Sequence, residues 1–339
     1  MAGVIVVTEN LVEGYFVITV DGLVFEIKGV IHPRNRVIAY LRYVPTTGTT
    51  SDSDIGYRKV YALNERETYL RNNYPSYLWF SDPHGRVVQS VHSDRIESIL
   101  DPVDCLTKFR NSVDKISDLE QASVNLAEKL VKSTSIEWID IGITGSQLVG
   151  IAREDSDIDL VVYGSSACRK FYSNLSKNIT SIEDVERYTG TLLDEHVSFR
   201  WGAHENLKLI FQEIEQTKVL QGLFERYHFF VRLVKTPGDL EYVYGDVSYQ
   251  MKGQQLVSGR VVDDSESMFT PCEYLIECDD SPNLRKLVSY RGRFTEQISK
   301  GTSFEALGRL ELVTDHKKNN QYLQLVLGEL PNDYLIPKE

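Results

Sequence analysis

The 339-residue chain has only four cysteines, ten prolines and three tryptophans, and it has no biased or low-complexity tract. Cys105, Cys168, Cys272 and Cys278 are too scattered for a disulfide framework. The separation of Cys272 from Cys278 does not fit short zinc-ligand spacing, and no histidine cluster accompanies them. Buried thiols of a reducing compartment are the expectation. No apolar run reaches the length of a membrane-spanning helix, so no membrane partner is expected. The first twenty residues carry no basic segment followed by a cleavable apolar one; they alternate polar and β-branched residues, as strands do. A cytoplasmic protein is expected. There is also no excess of positive charge. The formal net charge is -12, and most of the surplus acid lies beyond residue 110. Nonspecific coating of nucleic acid draws its affinity from neutralised phosphates, so a chain of this charge is a poor candidate for it. A local basic groove, or a nucleotide substrate delivered with magnesium, remains compatible.

What is present suggests three parts, at 1–103, 104–236 and 237–339. The first is rich in short β-branched and aromatic runs, Gly14–Val20, Leu23–Val30 and Val37–Val44, with Asp21-Gly22 as a hairpin signal. A polar loop at Thr46–Ser53, a strand at Tyr57–Leu63 and a short helix at Glu65–Asn72 follow. From Asp104 to Ser133 the spacing becomes helical, with Leu106, Phe109, Val113, Ile116, Leu119 and Leu126 on a charged background. Asp101-Pro102 marks the helix boundary. Strands are expected at Glu137–Thr144, Ile158–Tyr163 and His228–Val234, with helices at Cys168–Leu175 and Glu205–Leu220, an α/β alternation. Lys235–Asp239 reads as a linker. Beyond it, strands at Gly259–Val262, Cys272–Glu277, Lys286–Tyr290, Gly308–Val313 and Tyr322–Leu327 would suit a small barrel.

The chemistry concentrates in Ile139–Gly164, IDIGITGSQLVGIAREDSDIDLVVYG. A strand ends at Thr144, and Gly145-Ser146 opens a turn and helix. Glycine permits close approach of a ligand, and free amides with the Ser146 hydroxyl can donate to phosphate oxygens. Asp155, Asp157 and Asp159 then run into the apolar strand Leu160-Val161-Val162. Residues two apart on a strand share a face, so Asp157 and Asp159 project together while Ile158 and Leu160 face the core. Carboxylates so placed suit hard divalent cations, and a pair of such ions about 4 Å apart can activate a hydroxyl and steady a leaving pyrophosphate.

This segment resembles the signature of the DNA polymerase β-like nucleotidyltransferase superfamily: Gly-Ser after a first strand, then Asp-x-Asp on the second. Gly150 and Ser156-Asp157-Ile158-Asp159-Leu160 extend the likeness to its minimal and antibiotic-modifying members. The resemblance implies that Gly145 and Ser146 hold the phosphates of an NTP. It also implies that Asp157 and Asp159 ligate Mg²⁺ or Mn²⁺ and carry catalysis. More loosely, GLVFEIKGVIHPRNRVIAYLRYVP, VVDDSESMFTPCEY and VSYRGRF are similar to an archaeal family of nucleotidyltransferases with flanking β-rich domains. The implied architecture is α+β and multidomain: a central nucleotidyltransferase domain, an N-terminal β-rich domain and a C-terminal small barrel resembling an oligonucleotide-binding (OB) fold. The implied activity is transfer of NMP from an NTP to a hydroxyl of an RNA end, a protein or a small molecule. The alternative is a nucleotide- or RNA-binding module on the same fold; a purely structural protein would have no need of the motif.

One departure stands out. Superfamily members usually carry a third acid on a later strand, as general base or metal ligand. Here His228–Val234 offers Arg232, a residue suited to phosphate or marking a site that has lost one metal. Asp194 and Glu195, before a possible strand at His196–Phe199, are the fallback acids, and Glu225 is a weaker one. His32–Arg36 with Tyr40, Arg42 and Tyr43, and Tyr290–Phe294, mix basic and aromatic residues as nucleic-acid surfaces do, and equally as solvated strands do. Asp263–Glu266 reads as a charged loop. The acceptor, the base preference and the oligomeric state are not encoded in any recognisable pattern.

Overall fold

The computed structural model describes residues 10–46, 56–60, 62–278 and 281–338. Three sheets follow one another along the chain. The first contains β1 (Phe16–Thr19), β2 (Val24–Ile27), β3 (Arg36–Pro45), β4 (Tyr57–Lys59), β5 (Leu78–Ser81), β6 (Arg86–His92) and β7 (Ile96–Leu100). Its order is β5-β6-β3-β2-β1-β7, with β4 paired to β3, and helix α1 (Leu63–Asn73) packs beside it. The Asp21-Gly22 signal does close the β1–β2 hairpin: the Gly22 amide donates to the Thr19 carbonyl at 2.7 Å. Most of the Thr46–Ser53 loop lies outside the described residues.

The expected single helical stretch at 104–133 is two helices, α2 (Pro102–Arg110) and α3 (Asp118–Thr134). Both starts are written locally. Asp101 caps α2 by accepting from the Val103 and Asp104 amides, with Pro102 at the first helical position. Ser117 and Glu120 form a reciprocal capping box on α3. The break between them leaves Val113, counted among the periodic residues, fully exposed.

The central sheet holds β8 (Ile141–Ile143), β9 (Ile158–Tyr163), β10 (Val185–Glu186), β11 (Gln221–Phe224) and β12 (Tyr227–Val234) in the order β10-β11-β12-β9-β8. Strands β9 and β12 are parallel, and the other pairs are antiparallel. Between these strands lie α4 (Gly145–Val149), α5 (Ser165–Asn178), α6 (Gly190–Trp201) and α7 (Lys208–Glu215). The strand expected at His196–Phe199 is a correction: those residues are inside α6. Its apolar residues are spread around the helix, Leu193, Val197 and Trp201 inward and Phe199 91 % exposed, so no single stripe announces it.

One face of the central sheet carries Ile158, Leu160, Val162, Phe229, Val231 and Leu233 against α3 and α5. The opposite face turns Val161, Tyr163 and Val234 towards Val12 and Val30 of the N-terminal segment. That second face also carries Asp159, which therefore sits at the seam between the first two sheets. The seam is tight: the Tyr163 hydroxyl donates to the Glu13 carbonyl and the Thr144 hydroxyl to the Gly14 carbonyl.

The third sheet contains β13 (Val247–Glu266), β14 (Cys272–Glu277), β15 (Leu284–Ser289), β16 (Ser303–Asp315), β17 (Asn320–Leu327) and β18 (Tyr334–Pro337). Its order is β13-β14-β15-β17-β16-β18, and β13 pairs with β16 as well. Strand β13 is far longer than the Gly259–Val262 expected from sequence. Residues 250–256, paired with β16, are exposed on both faces, so the alternation that betrays a half-buried strand is absent. Helices α6 and α7 share their buried residues with this third sheet: Leu193, Val197, Trp201, Phe211 and Ile214 pack in one core with Tyr274, Phe294 and Phe304. No helix among the described residues is long and apolar enough to cross a membrane. All four cysteines are free, three of them buried.

Candidate active site

The turn after β8 brings the motif residues together. The Thr144 amide donates to the Asp159 carbonyl at 2.9 Å, which locks the end of β8 to the start of β9. Gly145 follows with φ of +71°, and a Cβ there would lie 2.2 Å from Asp159 Oδ2. The turn thus has two reasons for glycine: a left-handed backbone and a carboxylate pressed against it. Helix α4 is held down through Gln147, whose buried amide exchanges hydrogen bonds with Ser123 of α3. It ends at Gly150 in the left-handed conformation. The Ser146 hydroxyl has no hydrogen-bond partner among the described residues.

Asp155 lies in the turn before β9, exposed. Asp157 immediately precedes the strand and is also exposed, whereas Asp159 is its second residue and partly buried. Neither the Asp157 nor the Asp159 carboxylate makes a hydrogen bond or ion pair with any described residue. Burial pushes the Asp159 carboxyl up to about 6; Arg232 and Arg42 pull it down, while Asp157 and Glu26 add to the rise. A half-buried carboxylate beside another, with no cation in contact, is an unfavourable arrangement for the folded chain by itself.

The sign of this effect gives a first prediction. A folded-state value raised above the ordinary 3.8 makes a contribution to stability that is complete below that value and lost as pH rises through about 6. Asp159→Asn is therefore expected to stabilise the metal-free protein at pH 7.5, by about 1–3 kcal/mol. The gain should shrink towards pH 4. Thermal melts of both proteins across that range check it, and a lower melting temperature for Asp159→Asn at pH 7.5 would contradict it.

The third acid expected on the later strand is absent. In the parallel register of β12 on β9, Phe230 stands beside Asp159 and Arg232 beside Val161. The fallback acids are elsewhere. Asp194, on α6, is engaged with Lys208 and Gln212, and Glu225 occupies the turn between β11 and β12. Glu195 lies on the exposed side of α6.

Sequence reasoning missed the acids that meet Arg232, because they come from the N-terminal part of the chain. Glu13 and Glu26 are buried, and each accepts from Arg232, at 3.1 and 3.0 Å. Lys28 bridges the same two carboxylates at 2.7 and 2.8 Å, and Arg42 reaches Glu26 at 3.3 Å. Glu13 and Glu26 hold Arg232 in place, and Lys28 and Arg42 share the same two carboxylates. Burial of Glu26 is outweighed by Lys28, Arg42 and Arg232, and its carboxyl is held well below the usual range.

On the other flank lies a pair that sequence also did not single out. Phe229 pairs with Ile158, so His228 stands across from Asp157. Its Nδ1 is 2.8 Å from the Tyr188 hydroxyl, and His196 stacks on the Tyr188 ring at 4.0 Å. Arg200 lies over the Phe230 ring, 5.6 Å from its centre. Burial, then Arg291 and Arg200, push Arg293 down to about 10. Gly292, between these arginines, lies against the Phe230 ring: a Cβ there would be 2.5 Å from it.

The basic-aromatic stretches divide. Arg36 caps Trp79 and bonds Ser90, Arg42 belongs to the buried charge cluster, and Tyr43 packs in the core. In the second stretch, Phe294 is fully buried and Arg293 packs over Trp201. Asp263–Glu266 is occupied locally: Asp263 accepts from the Ser265 amide, and Glu266 pairs with Arg169 and Lys235. Among the described residues, no group of three or more His, Cys, Asp or Glu side chains is placed to hold a metal ion. A cation at Asp157 and Asp159 would therefore take its remaining ligands from substrate phosphate and water, the usual condition of Mg²⁺.

No family model matches the chain, and no solved structure matches it. It is similar to an uncharacterized protein of Methanocaldococcus jannaschii, MJ1086, at 24% identity over 340 residues. The alignment covers 94% of this chain and 97% of that protein, so the likeness extends well beyond the Asp-x-Asp segment.

Proposed function

We propose that the protein is a nucleotidyltransferase dependent on Mg²⁺ or Mn²⁺, moving NMP from an NTP to a hydroxyl acceptor. The observation that carries this reading is the unpartnered pair Asp157 and Asp159, set against the Gly145 turn with Asp159 pushed up to about 6. Two carboxylates so placed would hold a divalent cation that offsets their charge. Gly145, which abuts Asp159, and Ser146 with its free hydroxyl would hold the triphosphate. A bound divalent cation would supply charge neutralisation on the phosphates and activation of the acceptor oxygen.

In the reaction the acceptor oxygen bonds the α-phosphorus as the bridge to the β-phosphate breaks and pyrophosphate leaves. His228, one residue before the Phe229–Ile158 pair and bonded to Tyr188, would take the hydroxyl proton. Arg232 is engaged by Glu13 and Glu26, so its part is to set the field at Asp159 and not to grip phosphate. The three sheets support reading the chain as a nucleotidyltransferase domain between two β-rich domains. The pairings β13-β14-β15-β17-β16 and back to β13 form a ring in which β15 and β17 run parallel, as in a small barrel of OB type. A domain of that kind favours an RNA end or a protein as acceptor over a small molecule.

A second reading keeps the fold without turnover, as a nucleotide- or RNA-binding module. The specific observation in its favour is β12, which presents Phe230 and Arg232 where a third acid is expected. Pyrophosphate release from each of the four NTPs, with Mg²⁺ or Mn²⁺ and with total RNA present or absent, separates the two. Release establishes the transferase, and its dependence on RNA begins to name the acceptor. Metal-dependent NTP binding without release in any mixture selects the binding module.

A further inference from the structure

A chamber of about 460 Å³ lies between the first and third sheets, on the same side of the central sheet as Asp159. Its volume falls in the range of small-molecule sites. The wall is dense in aromatic residues: Tyr40, Tyr249, Tyr290, Tyr322 and His84 all line it. Tyr249 stacks on His84 with ring centres 5.5 Å apart, and Lys286 and Arg285 lie over the Tyr322 ring. Tyr290 is 41 % exposed, yet burial raises its phenol well above the ordinary value. Both hold if its open surface faces the chamber and not bulk water.

Two further facts define what such a wall would accept. The hydroxyls of Tyr40, Tyr249, Tyr290 and Tyr322 have no hydrogen-bond partner among the described residues, so the chamber offers free donors and acceptors beside flat rings. Its cations, in contrast, are already matched. Lys286 pairs with Glu273, Arg309 with Glu311 and Glu329, Arg86 with Glu329, Lys235 with Glu266, and Lys28 with Glu13 and Glu26. A phosphate would have to displace a carboxylate. A lipid would leave the hydroxyls and ion pairs unsatisfied. A neutral, planar heterocycle with polar edges meets both conditions, stacking on the rings and bonding at its rim.

We propose that this chamber is a second ligand site, separate from the Asp157–Asp159 site, and that it binds a nucleoside. Lys28 lines it and also closes the Glu13–Glu26–Arg232 cluster that borders Asp159, so the two sites share one buried group of charges. The inference does not depend on nucleotidyl transfer. A nucleoside acceptor, or the terminal nucleoside of a longer one, would lodge here if the transferase reading holds.

The test is a titration of the full-length protein, without divalent metal, with adenosine, guanosine, cytidine and uridine, read by calorimetry or saturation-transfer NMR. At least one nucleoside is expected to bind saturably. Tyr249→Leu and Tyr290→Leu should each weaken it about tenfold, while Tyr290→Phe, which keeps the ring and the fold, should weaken it less. The matching 5′-monophosphate should bind no more tightly than the nucleoside, because the chamber's cations are occupied. The Asp157→Asn, Asp159→Asn double variant should bind the nucleoside as wild type does, whether or not the protein proves to be a transferase. Thermal melts confirm that each variant is folded. The proposal is overturned if no nucleoside binds at millimolar concentration, if folded Tyr variants bind as wild type does, if the monophosphate binds more than tenfold tighter, or if the Asp double variant loses binding.

Discussion

The Asp157→Asn, Asp159→Asn double variant is expected to lose NMP transfer by at least about a thousandfold while remaining folded. The size follows from electrostatics: groups aimed at charge in the transition state are worth about 10²–10³ each in rate, and this variant removes both carboxylates. Retained folding follows from the environment. Neither carboxylate bonds a described residue, so their loss leaves no group stranded, and Asp159→Asn relieves a buried charge. Most inactivating substitutions confuse loss of function with loss of structure; this one separates them, because activity and stability should move in opposite directions. The measurement is pyrophosphate release beside a thermal melt at pH 7.5. Undiminished release from the double variant would remove Asp157 and Asp159 from the chemistry.

Arg232→Met should have the largest effect on stability. The side chain joins β12 to the first sheet through Glu13 and Glu26, whose carboxylates are nearly inaccessible. Removing one partner of a buried ion pair costs about 3–5 kcal/mol. Lys28 and Arg42 still serve these acids, so about 2–4 kcal/mol is expected here. The dependence on pH identifies the cause. Glu26 is held well below its ordinary 4.5, so its contribution is present above that value and lost as pH falls through the depressed one. The gap between wild type and Arg232→Met at neutral pH should accordingly narrow below about pH 4.5. Glu26→Gln added to Arg232→Met should recover part of the loss, since it withdraws the acid left unmatched. Urea unfolding of the three proteins at pH 7 and pH 4 checks this; a pH-independent gap would point to lost packing and not to charge.

These predictions rest on residues of two kinds, and sequence revealed only one. The closeness of Gly145 to Asp159 was legible because a strand, a tight turn and a second strand bring the two together within one short segment. The φ of Gly145 and its contact with Asp159 supply the physical reason for that spacing. Glu13, Glu26, Tyr188 and His228 were not legible. Glu13 and Glu26 reach the site only when the first sheet docks on the central one, and Tyr188 and His228 only through the pairing of β12 with β9. Secondary structure divides in the same way. The β1–β2 hairpin and the Asp101-Pro102 start of α2 depend on local residue chemistry and were read, whereas the Ser117–Glu120 capping box of α3 was passed over inside one expected helical stretch. Helix α6 was mistaken in part for a strand because it buries residues on the third sheet while leaving Leu192 and Phe199 exposed. The long β13 was shortened because its outer half has no buried face. The acid sought on β12 is replaced there by Arg232, and the acids near it enter from another part of the chain.

The most direct test of the central claim is Mn²⁺ binding, followed by electron paramagnetic resonance with and without a non-hydrolysable NTP analogue. Wild type should bind Mn²⁺, more tightly when the nucleotide supplies the missing ligands, and the Asp157→Asn, Asp159→Asn double variant should bind neither Mn²⁺ nor the metal–nucleotide pair. Equal Mn²⁺ binding by the two proteins, or none by wild type with nucleotide present, would contradict the account.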